Sequence, residues 1–187
     1  MLEIRIANNA GFCFGVKEAV RTAKEHAADK GCYLLGDIIH NKAVVADLES
    51  RGLNIVDTVE QLPNGAGGTV IIRSHGATRK TYDEIRAKGY DIIDATCPFV
   101  SKIHAIVRKH FDDGYHIVIV GAREHPEVIA TNGWCDGSAT IVEADSDLSG
   151  LEKYEKLCVV CQTTFDAKKF EELSKKISKI HSKTVEI

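Results

Sequence analysis

Residues 69–97 read TVIIRSHGATRKTYDEIRAKGYDIIDATC, and this stretch decides the fold because it contains a complete strand–helix–strand unit. The apolar run Val70–Ile72 predicts a buried strand, and Asp91–Asp94 predicts the next one. Between them, the charged segment from about Thr78 to Lys88 has helical spacing and is closed by Gly89. Two strands joined through a helix run parallel in one sheet, with a right-handed crossover. The stretch therefore predicts an α/β fold.

The same alternation of strand and helix extends toward the N-terminus. Leu2–Ala7 and Cys32–Leu35 are short apolar runs that predict strands, and Val16–Asp29 between them has helical spacing. Asn41 is a good N-cap for a second helix, which ends at Gly52. Repeated βαβ units of this kind predict parallel sheets covered by helices.

The second half of the chain repeats the first. Cys13 precedes a helix, a glycine, an apolar strand and then His40, which follows Cys13 by 27 residues. Cys97 precedes the same series of elements and then His125, which follows Cys97 by 28 residues. A repeat of about 84–88 residues is longer than the common solenoid periods. We therefore predict two similar βαβ lobes with parallel sheets.

The repeat also predicts where the lobes divide. The first α/β lobe is expected over residues 1–96 and the second over residues 97–187. Thr184–Ile187 corresponds to the strand that precedes Cys97, so the same spacing places a third cysteine at about 185–195. We therefore expect this chain to be a fragment, with two of three lobes that each contribute one cysteine to a central point.

Composition argues against several classes of protein. The 187 residues are 44% hydrophobic and 27% charged with a formal net charge of −3, which suits a globular protein and not a general nucleic-acid binder. No apolar run approaches the roughly 18 residues that span a membrane, and no secretory signal is evident. Six cysteines without such a signal are better explained by reduced thiols than by disulfides, which predicts a cytoplasmic protein.

Two cysteines occupy equivalent positions in the two lobes. Cys13 lies in GFCFG and Cys97 in ATCP, each between the end of a strand and the start of a helix. The helix dipole and the unpaired N–H groups at such a position favour the thiolate, which binds metals or attacks electrophiles. Small buried thiols are the alternative interpretation. Equivalent placement in both repeats favours a shared function.

Three histidines also follow apolar strands. His40, His75 and His125 lie at predicted strand-to-helix junctions, and in an open α/β lobe this edge of the sheet binds ligands. Backbone N–H groups at helix starts attract anions, so three imidazoles there would suit a phosphate or diphosphate. The alternative for each histidine is a helix-capping or core hydrogen bond.

Glu127 and Thr163 are further candidates for the same site. Glu127 follows His125 by two residues and could act as a proton donor if it is buried, or be an ordinary first-turn carboxylate. Thr163 occupies the position in the second lobe that matches His75, and its hydroxyl could bind a ligand or cap a helix.

Cys158 and Cys161 have the spacing of a redox dithiol, but they lie within a predicted strand. Residues three apart on a strand face opposite sides of the sheet, so we predict no redox role for this pair.

Three thiolates from three lobes could instead hold an iron–sulfur cluster with one iron open to substrate. Zinc with mixed Cys and His ligands is the alternative, although the ligand spacing is wide for a structural zinc site.

These motifs together resemble the 4-hydroxy-3-methylbut-2-enyl diphosphate reductase family, the last enzymes of the non-mevalonate isoprenoid pathway. The resemblance covers essentially the whole chain in order and implies a three-lobed, pseudo-symmetric α/β trefoil around a 4Fe-4S cluster. The motifs that carry it are Gly11-Phe12-Cys13-Phe14-Gly15-Val16, His40-Asn41, Ser74-His75-Gly76, Asp94-Ala95-Thr96-Cys97-Pro98, His125-Pro126-Glu127 and Gln162-Thr163-Thr164.

The resemblance implies roles for individual residues, which are stated here as expectations. Cys13 and Cys97 would be two of three protein ligands of the cluster, and Glu127 would relay protons to the leaving hydroxyl. Thr163 would contact the substrate, and the substrate diphosphate would be held by His40, His75 and His125. The reaction would be a two-electron reductive dehydroxylation to isopentenyl and dimethylallyl diphosphate, with ferredoxin or flavodoxin as electron donor and no nucleic acid or membrane partner.

The chain departs from the family in one respect. The third ligand cysteine and a Ser-Asn diphosphate motif belong to the third lobe, so we expect the fragment alone to hold no intact cluster and to be inactive. Two alternatives remain at this point: another three-lobed 4Fe-4S enzyme similar to quinolinate synthase, and a non-catalytic phosphate-binding α/β module with structural cysteines.

Overall fold

The structure is a computed structural model, which describes Arg5, residues 10–65, 67–143 and 145–180, and the backbone of residues 184–186. The strand predicted over Leu2–Ala7 lies, apart from Arg5, outside the described residues.

The described residues form eight strands and six α-helices, with the alternation that the sequence predicts. No described helix has both the length and the apolar character needed to cross a membrane. The strands are β1 Cys32–Leu35, β2 Asn54–Val56, β3 Thr69–Ile72, β4 Asp91–Asp94, β5 His116–Val120, β6 Thr140–Val142, β7 Lys156–Cys161 and β8 Thr184–Glu186. The helices are α1 Phe14–His26, α2 Lys42–Ser50, α3 Arg79–Ala87, α4 Pro98–Asp112, α5 Pro126–Asn132 and α6 Ala167–Ile180.

The strands form two four-stranded parallel sheets with the same topology. The first sheet has the order β2-β1-β3-β4, and the second has the order β6-β5-β7-β8. In each sheet the first strand in sequence is central and pairs with both the second and the third. The α/β fold with two similar parallel lobes is therefore confirmed, and the boundary between residues 96 and 97 stays a prediction.

Local chemistry sets the starts of the helices. The Asn41 side chain accepts hydrogen bonds from the N–H groups of Ala43 and Val44 at 3.1 and 3.2 Å, as expected for an N-cap. Pro98 and Pro126 occupy the first positions of α4 and α5, where the missing N–H is not needed.

Each sheet is covered on both faces by helices or loops. In the first lobe Leu34 and Ile71 face the cluster that α1 and α2 cover, whereas Val70 and Ile72 face α3. The second lobe follows the same plan. In the second lobe α6 packs on one face of the sheet, and α4 and α5 pack on the other. With both faces covered, functional groups are expected on the loops at the carboxyl ends of the strands.

Trp134 joins the two lobes. It lies in the short 3₁₀ turn Gly133–Cys135 after α5 and packs against core clusters of both lobes. Its indole N–H donates to the carbonyl of Ala77 in the first lobe at 3.1 Å, and its ring stacks on His104 with centroids 5.2 Å apart. Trp134 therefore contributes both packing and a hydrogen bond to the contact between the lobes.

Candidate functional site

Three histidines from both lobes converge on one point. His40 and His125 each lie five residues beyond the first strand of their lobe, and His75 lies three residues beyond β3. The ring centroids of His40 and His75 are 4.6 Å apart, those of His75 and His125 5.5 Å, and those of His40 and His125 5.7 Å. The structure thus brings together the three histidines that the sequence selects, between the lobes.

One ring nitrogen from each histidine lies within 4.8 Å of the other two, so the cluster could bind either an anion or a metal ion. His125 distinguishes these possibilities because its Nδ1 accepts a hydrogen bond from the N–H of Glu127 at 3.1 Å. An accepting Nδ1 carries no proton, which leaves the proton of a neutral ring on Nε2. A neutral ring that binds a metal through Nε2 carries its proton on Nδ1. In His125 that proton would face the N–H of Glu127. His125 is therefore arranged to donate to an anion.

The two half-buried rings are uncharged at neutral pH. Burial, together with the charges of His40, Arg73 and His125, lowers the pKa of His75 to about 4. Burial also lowers the pKa of His125, against the opposing effect of the Glu127 carboxylate. The Nδ1 atom of His75 is buried without a partner in the described part of the chain. In a ligand-binding site, a buried polar atom that has no partner in the protein can form a hydrogen bond with the ligand.

Glu127 and Thr163 form a closed pair beside the histidines. Glu127 is only 3% exposed, and its two carboxylate oxygens accept hydrogen bonds from the N–H and the hydroxyl of Thr163 at 2.6 and 2.8 Å. Thr163 lies two residues beyond β7, a central strand of the second sheet, so this pair shares the edge that carries His125. The structure thus couples Glu127 to Thr163, a contact that the sequence does not predict.

Cys13 and Cys97 are the N-cap residues of α1 and α4, as the repeat predicts. The carbonyl of each accepts the N–H of the residue four positions later at 2.9 Å. The starts of the two helices adjoin, because a Cβ atom on Gly15 would lie 2.5 Å from the Sγ of Cys97. The Cys97 thiol therefore lies against the first turn of α1, the helix that Cys13 caps.

These two thiols fit part of a cluster site. Both lie at helix starts, and neither forms a disulfide. The neighbouring rings of Phe14 and Phe99 are 65% and 68% exposed, and apolar side chains around a cluster limit the access of solvent. A 4Fe-4S cluster with one open iron needs a third thiolate, which the described residues do not place here.

The other four cysteines lie elsewhere. Cys32 and Cys135 are buried in core clusters of the two lobes. Cys158 and Cys161 are both in β7 but pack against different core clusters on opposite faces of the sheet. The prediction that Cys158 and Cys161 do not form a redox dithiol agrees with this geometry.

The sequence predicts no role for Ser74, which links the histidine site to the start of α4. Its buried hydroxyl donates to the carbonyl of Ile38 at 2.9 Å, and its carbonyl accepts the N–H of Cys97 at 2.9 Å. The residue next to His75 is thereby tied both to the segment before His40 and to the start of α4. A serine between a strand and a histidine gives no periodic signal that would reveal these contacts.

Known proteins resemble the chain over most of its length. A family model described as "LytB protein" matches residues 4–186. Among curated relatives, the 4-hydroxy-3-methylbut-2-enyl diphosphate reductase of Thermoanaerobacter sp. (strain X514) is 45% identical over 175 residues, covering 92% of this chain and 61% of the relative. The reductase of the same name from Clostridioides difficile (strain 630) is 41% identical over 181 residues, covering 95% of this chain and 64% of the relative.

Solved structures agree with this relationship. A structure of (E)-4-hydroxy-3-methyl-but-2-enyl diphosphate reductase matches with a TM-score of 0.83 and 39% identity, covering 100% of this chain and 67% of that one. The E-1-hydroxy-2-methyl-but-2-enyl-4-diphosphate reductase from Plasmodium falciparum matches with a TM-score of 0.84 and 29% identity, over 96% of this chain and 57% of that one. The chain spans less than two thirds of the length of the Thermoanaerobacter and Clostridioides relatives. By its motifs, its fold and these matches, the chain belongs to the LytB protein family.

Proposed function

We propose that this chain forms the first two lobes of an iron–sulfur reductase that converts 4-hydroxy-3-methylbut-2-enyl diphosphate to isopentenyl and dimethylallyl diphosphate. The names and the identities of the relatives support this activity. The chain spans 61% of the Thermoanaerobacter relative. The proposal therefore concerns a longer protein that also carries a third lobe. Family membership disfavours the alternative of an enzyme similar to quinolinate synthase.

The convergence of His40, His75 and His125 is the observation that carries the proposal. Three imidazoles on loops of two lobes, one of them fixed as an Nε2–H donor, suit a diphosphate better than a metal ion. A ligand that contacts all three must lie between the lobes. The histidines therefore anchor the diphosphate and point the rest of the substrate into the space between the lobes.

The pair formed by Glu127 and Thr163 suits the proton step of the reaction. Reductive loss of a hydroxyl group consumes two electrons and two protons: one proton leaves with the hydroxyl as water, and the other ends on carbon. Glu127 can hold a proton in a buried position, and the Thr163 hydroxyl bonded to its Oε2 can pass that proton to the leaving oxygen. The second hydrogen bond, from the Thr163 N–H, fixes the orientation of the carboxyl group.

Cys13 and Cys97 would supply two of the three protein thiolates that hold a 4Fe-4S cluster. When bound, such a cluster supplies electrons one at a time, and we propose ferredoxin or flavodoxin as their source. The six cysteines form no disulfide in the described structure, which supports a reducing compartment such as the cytoplasm as the site of action.

Replacing Glu127 by Gln in the full-length protein tests the proposed reaction. Glutamine keeps the shape, and its amide can still pair with the N–H and the hydroxyl of Thr163, but it holds no transferable proton. We expect turnover to fall roughly 10²–10⁴-fold, the range for a general acid, with KM changed by only a few-fold. The exposed neighbour Glu124 provides the control, and Glu124→Gln should keep normal turnover.

Full turnover in the Glu127→Gln variant would remove Glu127 from the proton step. A full-length protein that binds the diphosphate but, after anaerobic reconstitution, shows no iron, no sulfide and no EPR signal would favour the non-catalytic phosphate-binding module instead.

A further inference from the structure

Arg73 is a half-buried cation that neither the fold nor the proposed reaction explains. It directly follows β3 and lies two residues before His75. Within the described residues its guanidinium makes no hydrogen bond and no ion pair. Its one favourable charge interaction is with the exposed Asp37, and burial lowers the pKa of Arg73. Partly dehydrated charges in proteins are normally paired, so an unpaired one invites a ligand.

The fold makes room for this side chain. Gly36 directly follows β1 with a φ of +70°, and a Cβ atom at this position would lie 2.7 Å from the Nη1 of Arg73. A residue with a side chain would therefore strain the backbone and displace the guanidinium. Arg73 also lines a cavity of about 260 Å³ between the end of the first sheet and α5, together with Thr78 and Ile129.

Carboxylates line the same cavity, but none of them pairs with Arg73 in the part of the chain that the structure describes. These carboxylates are Asp57, Glu60 and Glu84. The same cavity is lined by Gly76 and Pro126, which directly follow His75 and His125 in the sequence. The unpaired cation and the histidine cluster are therefore neighbours, and the charge of Arg73 contributes to the lowered pKa of His75 and of His125.

A diphosphate demands positive charge, which neutral imidazoles do not supply. His75 and His125 are neutral at pH 7 and offer N–H donors without positive charge. A terminal phosphate group alone carries about two negative charges at neutral pH. A guanidinium remains charged at every physiological pH and presents a planar fork of donors that matches phosphate oxygens.

We propose that Arg73 is a fourth anion-binding residue of the histidine site and supplies the fixed positive charge that the imidazoles lack. The proposal rests on the proposed function, because it assigns Arg73 to the same diphosphate site. It makes Arg73 a specificity-determining residue, which favours multiply charged diphosphates over singly charged anions of similar size.

Calorimetric titration of the full chain with inorganic pyrophosphate at pH 7.5 tests this role. Arg73→Met should weaken pyrophosphate binding roughly 10- to 100-fold, as expected for the loss of a hydrogen-bonded charge, and should reduce the dependence of affinity on salt. Arg79→Met is the matched control, because it removes the same charge from an exposed position at the start of α3, and it should bind within about 2-fold of the unchanged chain. Arg73→Gln, which keeps most of the length and a polar tip, replaces Arg73→Met if the latter does not fold.

An NMR titration of the His75 ring gives a readout that a purely structural role would not move. Loss of the Arg73 charge should raise the pKa of His75 in the free protein, whereas Arg79→Met should leave it unchanged. Equal pyrophosphate affinity in folded Arg73→Met or Arg73→Gln and in Arg79→Met would overturn the proposal, while the histidine site would stand. Failure of the unchanged chain to bind pyrophosphate would instead overturn the proposed diphosphate site itself.

Discussion

At the scale of single residues, the two nitrogens of His125 have different tasks. Nδ1 caps α5 by accepting the N–H of Glu127, and this bond assigns the proton to Nε2. The same hydrogen bond orients the backbone of Glu127, whose carboxylate pairs with Thr163. One capping interaction therefore sets both an anion donor and the proposed proton carrier.

His104 gives a prediction for the dependence of stability on pH. Burial lowers the pKa of His104 to about 4, opposed in part by the charge of Asp94, so the unfolded chain binds this proton more readily than the folded chain. The stability that neutral His104 contributes is present above pH 6.5 and is lost as the pH falls toward 4. The free energy of unfolding should fall between pH 6.5 and 4.5 as His104 gains a proton. We expect this fall to be smaller by roughly 1–2 kcal/mol in His104→Phe than in the unchanged chain.

Urea unfolding at a series of pH values measures this difference. The Nε2 atom of His104 is buried without a partner in the described structure, so Phe should cost little at pH 7.5 and keep the stacking on Trp134. His26, which is only partly buried, is the control site. An identical slope of stability against pH in His104→Phe and the unchanged chain would contradict the assignment.

The sequence predicts the individual hydrogen-bond donors of the site better than it predicts the residues around them. His40, His75 and His125 could be selected because each follows an apolar strand, and parallel strands carry ligand groups at their carboxyl ends. Arg73 could not, because a charged residue after a strand is most often exposed, and its enclosure depends on the absence of a side chain at Gly36. The contact between Glu127 and Thr163 spans 36 residues and has no periodic signal.

At the scale of elements, helix starts position the site. Asn41 fixes the first turn of α2 directly after His40, so its capping bonds set the course of the backbone that carries the histidine. Asn41→Ala should lower the free energy of unfolding by about 1 kcal/mol, since two N–H groups lose their acceptor. Asn41→Asp should retain most of the stability because a carboxylate also caps well. Equal urea midpoints for Asn41→Ala and the unchanged chain would show that α2 does not depend on this cap.

The longer elements could be predicted from periodicity and from turn residues. The strand Asp91–Asp94 agrees with its prediction, and α4 begins at Pro98 as a proline in the first turn suggests. The 3₁₀ turn Gly133–Cys135 could not be predicted, because three residues are too few for a periodic pattern. That turn carries Trp134, which packs against core clusters of both lobes.

At the scale of the whole molecule, two copies of one topology place their ligand-binding edges against each other. The equivalent sheet orders explain why His40 and His125 recur at the same distance from their strands. The repeat was visible in the sequence as the Cys-to-His spacing. The orientation of one lobe against the other was not, since it depends on contacts such as the Trp134 hydrogen bond to Ala77.

The central claim is that histidines from both lobes form one diphosphate site, and pyrophosphate binding by His125→Asn tests it most directly. Asparagine is a good N-cap, so α5 should stay folded while the Nε2–H donor is lost. Calorimetry should show micromolar to millimolar binding to the unchanged chain, a loss of roughly tenfold or more in His125→Asn, and normal binding in the control His26→Asn. Equal affinity in His125→Asn and His26→Asn, with both variants folded, would contradict the claim.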